Sequence, residues 1–511
     1  HFTSLPNRWG SGTLGPEAVA FGRFLAAAGQ RLWQVLPICP TSPGVGDSPY
    51  SGFSAFAGHP LLISPDLLAV DGPLAPGDLE PFAMPDTGRA DFGMVTRARR
   101  ALLGLAFERA EHRLEDDPAF ELFCLENGIW LNDYAMFMAL KEHFGGRAWT
   151  EWPAALRHRD DAELARRGHE LRRDVLFHKY LQFVFFSQWR ALRESLAELG
   201  VGLVGDTPIY VTMDSADVWA NQHIFRLDAE GRPRVVAGVP PDYFSKTGQR
   251  WGNPVFDWNA CREQGFSWWL YRLEHALGLF DRLRLDHFRG FAAYWEVAAK
   301  EKTAVNGRWV RAPGRELFEA LAERLGPPPI ITENLGFITR DVEQLRRAFG
   351  FPGMAVLQFG FGEEAPASPH AAHNIEPDTV VYTGTHDNTT ARAWFAQEAD
   401  AAAHRRLARY LGHRVDETGA AAALIRLAML SCARTAILPV QDVLGLGAEG
   451  RMNTPGEANG NWTWRLTQGQ LGEHHAERLA EITALAGRDG HAPCPDTYPQ
   501  PPVDFTTVRN D

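Results

Sequence analysis

Short apolar runs that end in polar residues recur along the chain, and the fold is predicted from them. A run of this length bounded by turn residues is typical of a buried parallel strand. Most runs are separated by enough residues for a helix, and residues 95–199 combine charged faces with Leu, Phe and Trp at helical spacing. The predicted strands cover residues 32–38, 201–211, 283–288, 330–336, 354–359, 380–387 and 437–444.

Alternating strands and helices, with polar residues at the strand ends, predict a (β/α)8 TIM barrel whose active site lies at that face. We expect one catalytic domain over residues 1–511, without a separate C-terminal β-domain. Large insertions are expected at roughly 40–75 (a loop region), 90–200 (a helical subdomain) and 212–275 (a cleft-covering loop and helices). A doubly wound sheet is the alternative, but it would concentrate the polar residues at one switch point, and here they leave at least five strands.

Charge and cysteine usage restrict the class of partner and the compartment. The formal net charge is -12 and no basic stripe offsets it, which argues against nucleic acid. The 5 cysteines lack zinc-ligand spacing, so a reducing cytoplasm is expected. No apolar run is long enough to span a bilayer, no signal peptide is visible, and nothing indicates a partner protein. The sequence begins at His1 without a methionine, so a few residues are expected to precede it.

Aromatic residues are frequent, with 16 Trp, 31 Phe and 10 Tyr. Most are expected in the core. Tyr50, Tyr243, Trp251, Trp258 and Trp462, however, lie in Gly/Pro-rich segments without a helical or strand period. Because pyranose rings have apolar faces and polar rims, aromatic residues on loops suit a sugar-binding cleft.

Three carboxylates at the ends of separate predicted strands are the candidates for chemistry: Asp286, Glu333 and Asp387. Arg284 lies on the same face as Asp286 and would keep it ionised, as a nucleophile requires. Glu333 follows two isoleucines and a threonine, an apolar setting that would raise its pKa and keep it protonated. Glycoside chemistry uses two carboxyl groups in different protonation states, one as nucleophile and one as acid. The Arg284–Asp286 segment taken alone is equally consistent with a buried ion pair, and each carboxylate could cap the next helix. Three carboxylates together at strand ends disfavour these purely structural roles.

A metal-dependent barrel hydrolase is the rival interpretation, with His287, His386, Asp286 and Asp387 as ligands. That class supplies an early H-x-H pair and a lysine or further histidines from other strands. The sequence has no H-x-H pair and no lysine at a predicted strand end. We therefore favour glycoside chemistry.

Several long motifs occur in one order along nearly the whole chain. They are TSLP (3–6), SPY (48–50), GDTPIYV (205–211), GVPPDYFS (238–245), GQRWGNP (248–254), RLDHFRG (284–290), TENLG (332–336), GTHDN (384–388), RMNTPG (451–456) and NW (461–462). In these motifs the chain closely resembles the 4-α-glucanotransferases called amylomaltases or disproportionating enzymes, which are relatives of the α-amylase barrels. The resemblance implies that most of the first barrel strand precedes His1.

The resemblance also implies roles for matched residues. Asp286 would be the nucleophile, Glu333 the acid/base and Asp387 the carboxylate that stabilises the transition state. The implied substrate-binding residues are Arg284, Asp206 and His386 in the central subsite, Tyr50, Gln249, Trp251 and Asn253 along the donor and acceptor glucan, and Asn453. No metal or organic cofactor is implied, and the implied ligands are α-1,4-glucans and maltooligosaccharides.

The implied activity is transfer of α-1,4-glucan segments by a retaining double displacement. Retention predicts that the carboxyl groups of Asp286 and Glu333 lie roughly 5–5.5 Å apart. Transfer depends on whether acceptor subsites and the loop at 240–254 outcompete water for the intermediate. An α-1,4-glucan hydrolase using the same residues, and an inactive glucan-binding protein, therefore stay open as alternatives.

Overall fold

The computed structural model describes residues 1–490 apart from 43, 45, 71, 242–244 and 458. Tyr243, one of the loop aromatics named above, lies outside the described residues. The strands are β1 (Leu32–Gln34), β2 (Gly202–Pro208), β3 (Val235–Val239), β4 (Gln249–Pro254), β5 (Arg282–Asp286), β6 (Ala293–Ala298), β7 (Gly307–Arg311), β8 (Ile330–Thr332), β9 (Gly353–Val356), β10 (Thr379–Tyr382) and β11 (Thr435–Ile437).

Helices connect and surround these strands. They are α1 (Pro16–Ala27), α2 (Pro65–Val70), α3 (Pro76–Leu79), α4 (Phe92–Leu114), α5 (Pro118–Glu126), α6 (Gly128–His143), α7 (Ala154–Arg157), α8 (Asp161–Glu170), α9 (Arg172–Glu198), α10 (Ala216–Ala220), α11 (Trp258–Glu263), α12 (Ser267–Leu279), α13 (Arg289–Ala292), α14 (Gly314–Leu325), α15 (Arg340–Ala348), α16 (Ala391–Ala393), α17 (Ala401–Leu411), α18 (Glu417–Met429), α19 (Val440–Val443) and α20 (Glu473–Leu485). Within the described residues, none of these helices combines the length and apolar character that crossing a bilayer requires.

The predicted strand series is present as two parallel sheets. A four-stranded sheet has the order β1-β2-β5-β8, and a three-stranded sheet has the order β11-β10-β9. A backbone hydrogen bond of 2.9 Å from Thr332 N to Pro352 O links the end of β8 to the residue before β9. The parallel strands thus follow one another in chain order, without the reversal that a doubly wound sheet contains. Closure into an eight-stranded barrel stays a prediction.

The predicted strand at 437–444 is wrong over most of its length. β11 covers Thr435–Ile437, and α19 begins at Val440, directly after Pro439. Proline lacks a backbone N–H and ends a ladder readily, and it is well tolerated just before a helix. In the described residues no further strand follows β11, and α20 is the last element.

Alternate positions on the parallel strands face two different layers. One layer is an apolar cluster drawn from both sheets: Val204, Ile331, Met354, Val356, Val380 and Tyr382. The neighbouring positions Leu203, Leu283 and Leu285 pack in another cluster together with helix residues. The register pairs Asp206 of β2 with Arg284 of β5, and Arg284 with Ile331 of β8. Polar side chains near these strand ends therefore share the face of the first cluster.

An antiparallel sheet with the order β4-β3-β6-β7 was not anticipated by the sequence analysis. Residues 212–275 were expected to hold a loop and helices, yet they contain β3 and β4, and β3 pairs with β6 beyond β5. β4 reads QRWGNP, with Gly and Pro and no apolar alternation. Such a strand is specified by its partner and not by its own pattern, because sheet preference depends on neighbouring strands.

Two buried glutamines attach the segment after β1 to the long helix α9. Gln182 accepts a hydrogen bond of 2.7 Å from Gly58 N and donates one of 2.9 Å to Gly58 O. Gln188 makes the same pair of bonds with Ser64, at 2.7 and 3.2 Å. Each glutamine side chain bonds both the N–H and the C=O of one buried residue. The segment has no regular secondary structure at these two residues, and these bonds replace those that a neighbouring strand would supply.

Replacing Gln182 by Leu is expected to lower the melting temperature, measured by calorimetry. The change leaves the buried N–H and C=O of Gly58 without partners, a cost on the order of 2–5 kcal/mol. Ser187→Ala, on the exposed side of the same helix, is the control and should change stability by about 0.5 kcal/mol or less. Equal melting temperatures for the two variants would contradict the role of Gln182.

Candidate active site

Arg284 binds two aspartates at the ends of β2 and β5. Its Nη1 donates to Asp206 Oδ2 at 2.6 Å and its Nη2 donates to Asp286 Oδ1 at 2.8 Å. The side chain of Arg284 is only 5% exposed, whereas that of Asp286 is 29% exposed. Burial alone would lower the pKa of Arg284, but the charges of Asp206 and Asp286 outweigh burial and raise it well above its usual value. Asp286 therefore has a permanent cation beside it.

Asp206 is the fully buried member of this group. Its Oδ2 accepts hydrogen bonds from Arg284 and, at 2.8 Å, from the hydroxyl of Tyr50. Within the described residues its Oδ1 has no hydrogen-bond partner. Burial raises the pKa of Asp206, and the cation of Arg284 acts against this rise. Asp206 thus provides a buried counter-charge that fixes the position of the guanidinium.

Glu333 follows β8 directly and lies beside the end of β5. Its two carboxyl oxygens accept backbone hydrogen bonds from His287 N (2.9 Å) and Leu335 N (2.7 Å). Burial, and after it the charge of Asp286, raise the pKa of Glu333 to about 7, while Arg284 and the backbone donors act in the opposite direction. The predicted rise of this pKa is confirmed, with Asp286 as a cause that the sequence analysis had not included.

His287 turns the chain between these two carboxyl groups. Its φ of 51° lies in the left-handed region, which is uncommon for a residue with a side chain and is found at functional sites. This conformation accompanies the donation of its N–H to Glu333. Burial lowers the pKa of the His287 imidazole to about 4, so the ring is neutral near pH 7. The ring contacts Trp251 edge-on, with 4.8 Å between ring centroids.

Asp387 is the most exposed of the three carboxylates, with a side chain 49% exposed. Asn453 Nδ2 donates to its Oδ1 at 2.6 Å, and Arg451 Nη2 donates to its backbone oxygen at 3.1 Å. His386 Nε2 lies 3.5 Å from Asp387 Oδ1. The carboxylate is therefore oriented by its neighbours and still open to a ligand.

Tyr50 connects the two sides of the site. Its hydroxyl donates to Asp206 and lies 3.0 Å from His386 Nε2, and its ring stacks on His386 with centroids 5.3 Å apart. Trp462 packs against both rings, at 6.0 Å from Tyr50 and 5.9 Å from His386. Trp462 was noted as a loop aromatic but not as a site residue. Its position in a Gly/Asn-rich loop and its place in the NW motif at 461–462 were the signals available for it.

The three predicted residues of the 248–254 motif lie on β4 and differ in their contacts. Trp251 Nε1 donates to Gln249 Oε1 at 3.1 Å, and Trp251 reaches His287. Asn253 Nδ2 instead donates to Val211 O at 2.9 Å, which ties β4 to the segment after β2. The structure therefore brings Trp251 and Gln249 to the site edge and places Asn253 in a structural contact.

Trp258, another of the expected loop aromatics, is part of the core. It begins α11 and is 7% exposed. Its ring packs on Phe256 and stacks with Trp269, with centroids 5.5 and 5.7 Å apart. The expectation of a cleft position was wrong for this residue, because its loop leads directly into a buried helix start.

Asp442, an acidic residue within the predicted apolar strand at 437–444, holds the segment that carries Asp387. Its Oδ2 accepts from the Thr383 hydroxyl at 2.5 Å, and its Oδ1 accepts from Ala391 N at 2.7 Å. These two partners lie at opposite ends of the loop between β10 and α16. Burial raises the pKa of Asp442 to about 6. An acidic residue inside an apolar run was the available sign of such a role.

The two histidines of the metal-dependent alternative have other contacts. The ring of His287 packs on Trp251 and lies beside Asp286, whereas His386 stacks on Tyr50 and lies beside Asp387. The carboxylates adjacent to them belong to different hydrogen-bonded groups, one around Arg284 and one around Asn453. Asp286 and Glu333 instead interact with each other, since the charge of Asp286 is one cause of the raised pKa of Glu333.

Two carboxyl groups in different environments, Asp286 beside Arg284 and Glu333 with a raised pKa, are typical of enzymes that act on glycosidic bonds. The family model described as 4-alpha-glucanotransferase matches residues 1–470. The chain is 49% identical over 500 residues to the 4-alpha-glucanotransferase of Thermus thermophilus, covering 96% of this chain and 98% of that one. It is 46% identical over 491 residues to the one of Aquifex aeolicus, with coverage of 96% and 98%.

A solved structure agrees with these relatives. The amylomaltase from Streptococcus agalactiae in complex with acarbose superposes with a TM-score of 0.90 at 38% identity, covering 96% of this chain and 98% of that one. The amylomaltase from Corynebacterium glutamicum, at 20% identity and a TM-score of 0.71, shares the fold. The chain belongs to the 4-alpha-glucanotransferase family.

Replacing Asp442 by Ala is expected to lower both the melting temperature and kcat. Thr383 and the Ala391 N–H lose a buried charged acceptor, a cost on the order of 2–4 kcal/mol, and the loop that carries Asp387 loses its attachment at both ends. Asp442→Asn keeps one acceptor oxygen and should fall between wild type and Asp442→Ala. Calorimetry and steady-state kinetics check both, and an Ala variant with wild-type kcat would refute the prediction.

Proposed function

We propose that the protein transfers α-1,4-glucan segments from donor to acceptor sugars by a retaining double displacement. Asp286 is the nucleophile, Glu333 the acid/base, and Asp387 the carboxylate that stabilises the transition state. The arrangement that carries the proposal is an Asp286 paired with Arg284 next to a Glu333 whose carboxyl group is held by His287 N and Leu335 N, and whose pKa is raised to about 7 by burial and the charge of Asp286. The two groups differ in their environments as an acid and a nucleophile must.

In the first step Asp286 attacks the anomeric carbon while Glu333 donates its proton to the leaving oxygen. The N–H groups of His287 and Leu335 hold the carboxyl group of Glu333 in place and stabilise the carboxylate that results. Formation of the glucosyl ester removes the negative charge of Asp286. Because that charge raises the pKa of Glu333, the pKa falls and Glu333 stays ionised, ready to act as base.

In the second step Glu333 takes the proton of the 4-hydroxyl of an acceptor sugar, which attacks the ester in place of water. We assign Arg284, Asp206 and His386 to the central subsite. Tyr50, Gln249, Trp251, Asn253 and Asn453 then contact or shape the path of donor and acceptor α-1,4-glucan and maltooligosaccharide chains. The register of β5 and β8, which pairs Leu285 with Thr332, supports neighbouring positions for Asp286 and Glu333.

We further propose that the parallel strands close into a (β/α)8 barrel within one domain, with insertions at roughly 40–75, 90–200 and 212–275. A hydrogen bond of 2.8 Å from the Tyr382 hydroxyl of β10 to Gln34 Oε1 of β1 supports closure, because it joins strands of the two parallel sheets. We also propose a cytoplasmic location. Cys39, Cys124, Cys261 and Cys432 are free thiols, as a reducing compartment would maintain.

Incubation with maltotriose is expected to give glucose together with a ladder of longer maltooligosaccharides, resolved by chromatography. Transfer of a glucan segment to a second maltotriose lengthens one product as it shortens the other. Exclusively shorter products would indicate a hydrolase, and unchanged maltotriose would indicate a binding protein.

Asp286→Asn is expected to lower transfer and residual hydrolysis together, by roughly four orders of magnitude or more, because both need the same covalent intermediate. Asp116→Asn, a substitution of the same type at an exposed position, is the matched control and should retain wild-type rates. Retained turnover in Asp286→Asn would remove this residue from the role of nucleophile.

The pH profile of kcat/KM is expected to fall as the pH rises above about 7, approaching tenfold per pH unit. The sign follows from the raised pKa of Glu333: the proton that it must donate is present below about 7 and is lost above it. Initial rates with maltotriose between pH 5 and pH 9 measure the profile. A kcat/KM that stays constant up to pH 9 would show that Glu333 is not the acid.

A further inference from the structure

A solvent-open cavity of about 400 Å³ lies apart from the three carboxylates. Its walls come from α6, α10, the start of α12 and the turn at 54–56, and none of Asp286, Glu333 and Asp387 lines it. The volume lies in the range of small-ligand sites, roughly 300–1,000 Å³. The proposed mechanism makes no use of this cavity.

Aromatic side chains form its floor. Phe56 lies at the centre, with ring centroids 6.3 Å from Trp130, 6.0 Å from Trp268 and 5.4 Å from Tyr271. All four rings line the cavity, and Phe56 and Trp130 are buried whereas Trp268 and Tyr271 are half-buried. Aromatic surfaces of this kind bind the apolar C–H faces of pyranose rings.

Polar side chains surround the floor: Asp133, Asn221, His223, Gln264, Ser267 and Arg324. His223, Gln264 and Ser267 are exposed residues of the lining, so their polar side chains are accessible to a ligand. The indole nitrogen of Trp268 is buried and lacks a partner among the described residues. Carboxylate, amide, imidazole and hydroxyl groups together can donate to and accept from the hydroxyl groups of a sugar.

The charges at the rim favour a neutral ligand. Asp133 is already paired with Arg159 at 2.6 Å, and Arg324 is paired with Glu274. Asp217, which also lines the cavity, is buried and accepts a hydrogen bond of 2.8 Å from Ala55 N. A phosphorylated or cationic ligand would therefore have to break an existing pair to gain a charged contact. A neutral polyhydroxylated ring makes use of the aromatic floor and the exposed polar groups without that loss.

We propose that this cavity is a second α-glucan binding site, which holds a short stretch of a long chain while another part of the same chain occupies the catalytic residues. The inference rests on the proposed function for its ligand. Binding at two places on one polymer raises its effective concentration at the catalytic site, and a trisaccharide is too short to gain from it. The site should therefore lower the KM for long glucans and leave short substrates unaffected.

Tyr271→Ala in the full-length chain tests this inference through the KM for amylose and for maltotriose. We expect the KM for amylose to rise roughly three- to tenfold, from the loss of one aromatic contact, with kcat and the maltotriose KM within about twofold of wild type. Gln468→Ala, at an exposed position away from the cavity, is the matched control and should change neither KM. An unchanged amylose KM in Tyr271→Ala would overturn the proposal.

Ser267→Arg is a second variant, which fills the mouth of the cavity from an exposed position and leaves the aromatic packing intact. It should reproduce the rise of the amylose KM, and a wild-type amylose KM would also overturn the second site. Assays of the wild-type protein separate a failure of the proposed function from a failure of the second site. Failure of wild type to lengthen maltotriose refutes the proposed function, whereas normal maltotriose transfer with unaffected amylose kinetics in both variants refutes the second site alone.

Discussion

The buried guanidinium of Arg284 is the group on which the site depends. An isolated buried charge costs several kcal/mol, and removal of one partner from a buried pair is strongly destabilising. Asp206 and Asp286 supply the partners because β2 and β5 pair in a register that sets Asp206 opposite Arg284. A slip of one residue would turn these side chains to the opposite face of the sheet, so the ion pairs and the register support one another.

Arg284 and Asp286 give the two candidate catalytic carboxyl groups, Asp286 and Glu333, different electrostatic environments. Arg284 donates a hydrogen bond of 2.8 Å to Asp286, while burial, and after it the charge of Asp286, raises the pKa of Glu333. The backbone holds Glu333 through donors on both sides, one of them from His287 in a left-handed conformation. Strain at this residue is offset by the packing and hydrogen bonds around it, as is typical where a site is preorganised.

Support for the site extends well beyond the residues that would touch a glucan. Tyr50 joins the Arg284 group to the His386 side, and the chain that follows Tyr50 is attached to α9 by Gln182. Asp442 performs the corresponding task for the loop that bears Asp387. Of the long helical region, α9 contributes by holding the chain at Gly58, and outside that region α19 contributes by holding the loop that carries Asp387.

The local pattern of apolar and polar residues determined much of the fold and of the candidate site. Apolar runs located the parallel strands, polar residues after them located Asp286, Glu333 and Asp387, and an apolar setting indicated the raised pKa of Glu333. Only the tertiary structure revealed the antiparallel sheet and the burial of Trp258. It also showed that Asp286 contributes to the raised pKa of Glu333, that Trp462 packs against Tyr50 and His386, and that Asp442 holds the loop carrying Asp387. The reason is physical: period and polarity are properties of neighbouring residues in the chain. Strand partners, desolvation and charge–charge distances arise between residues that are far apart in sequence and meet only when the chain is folded.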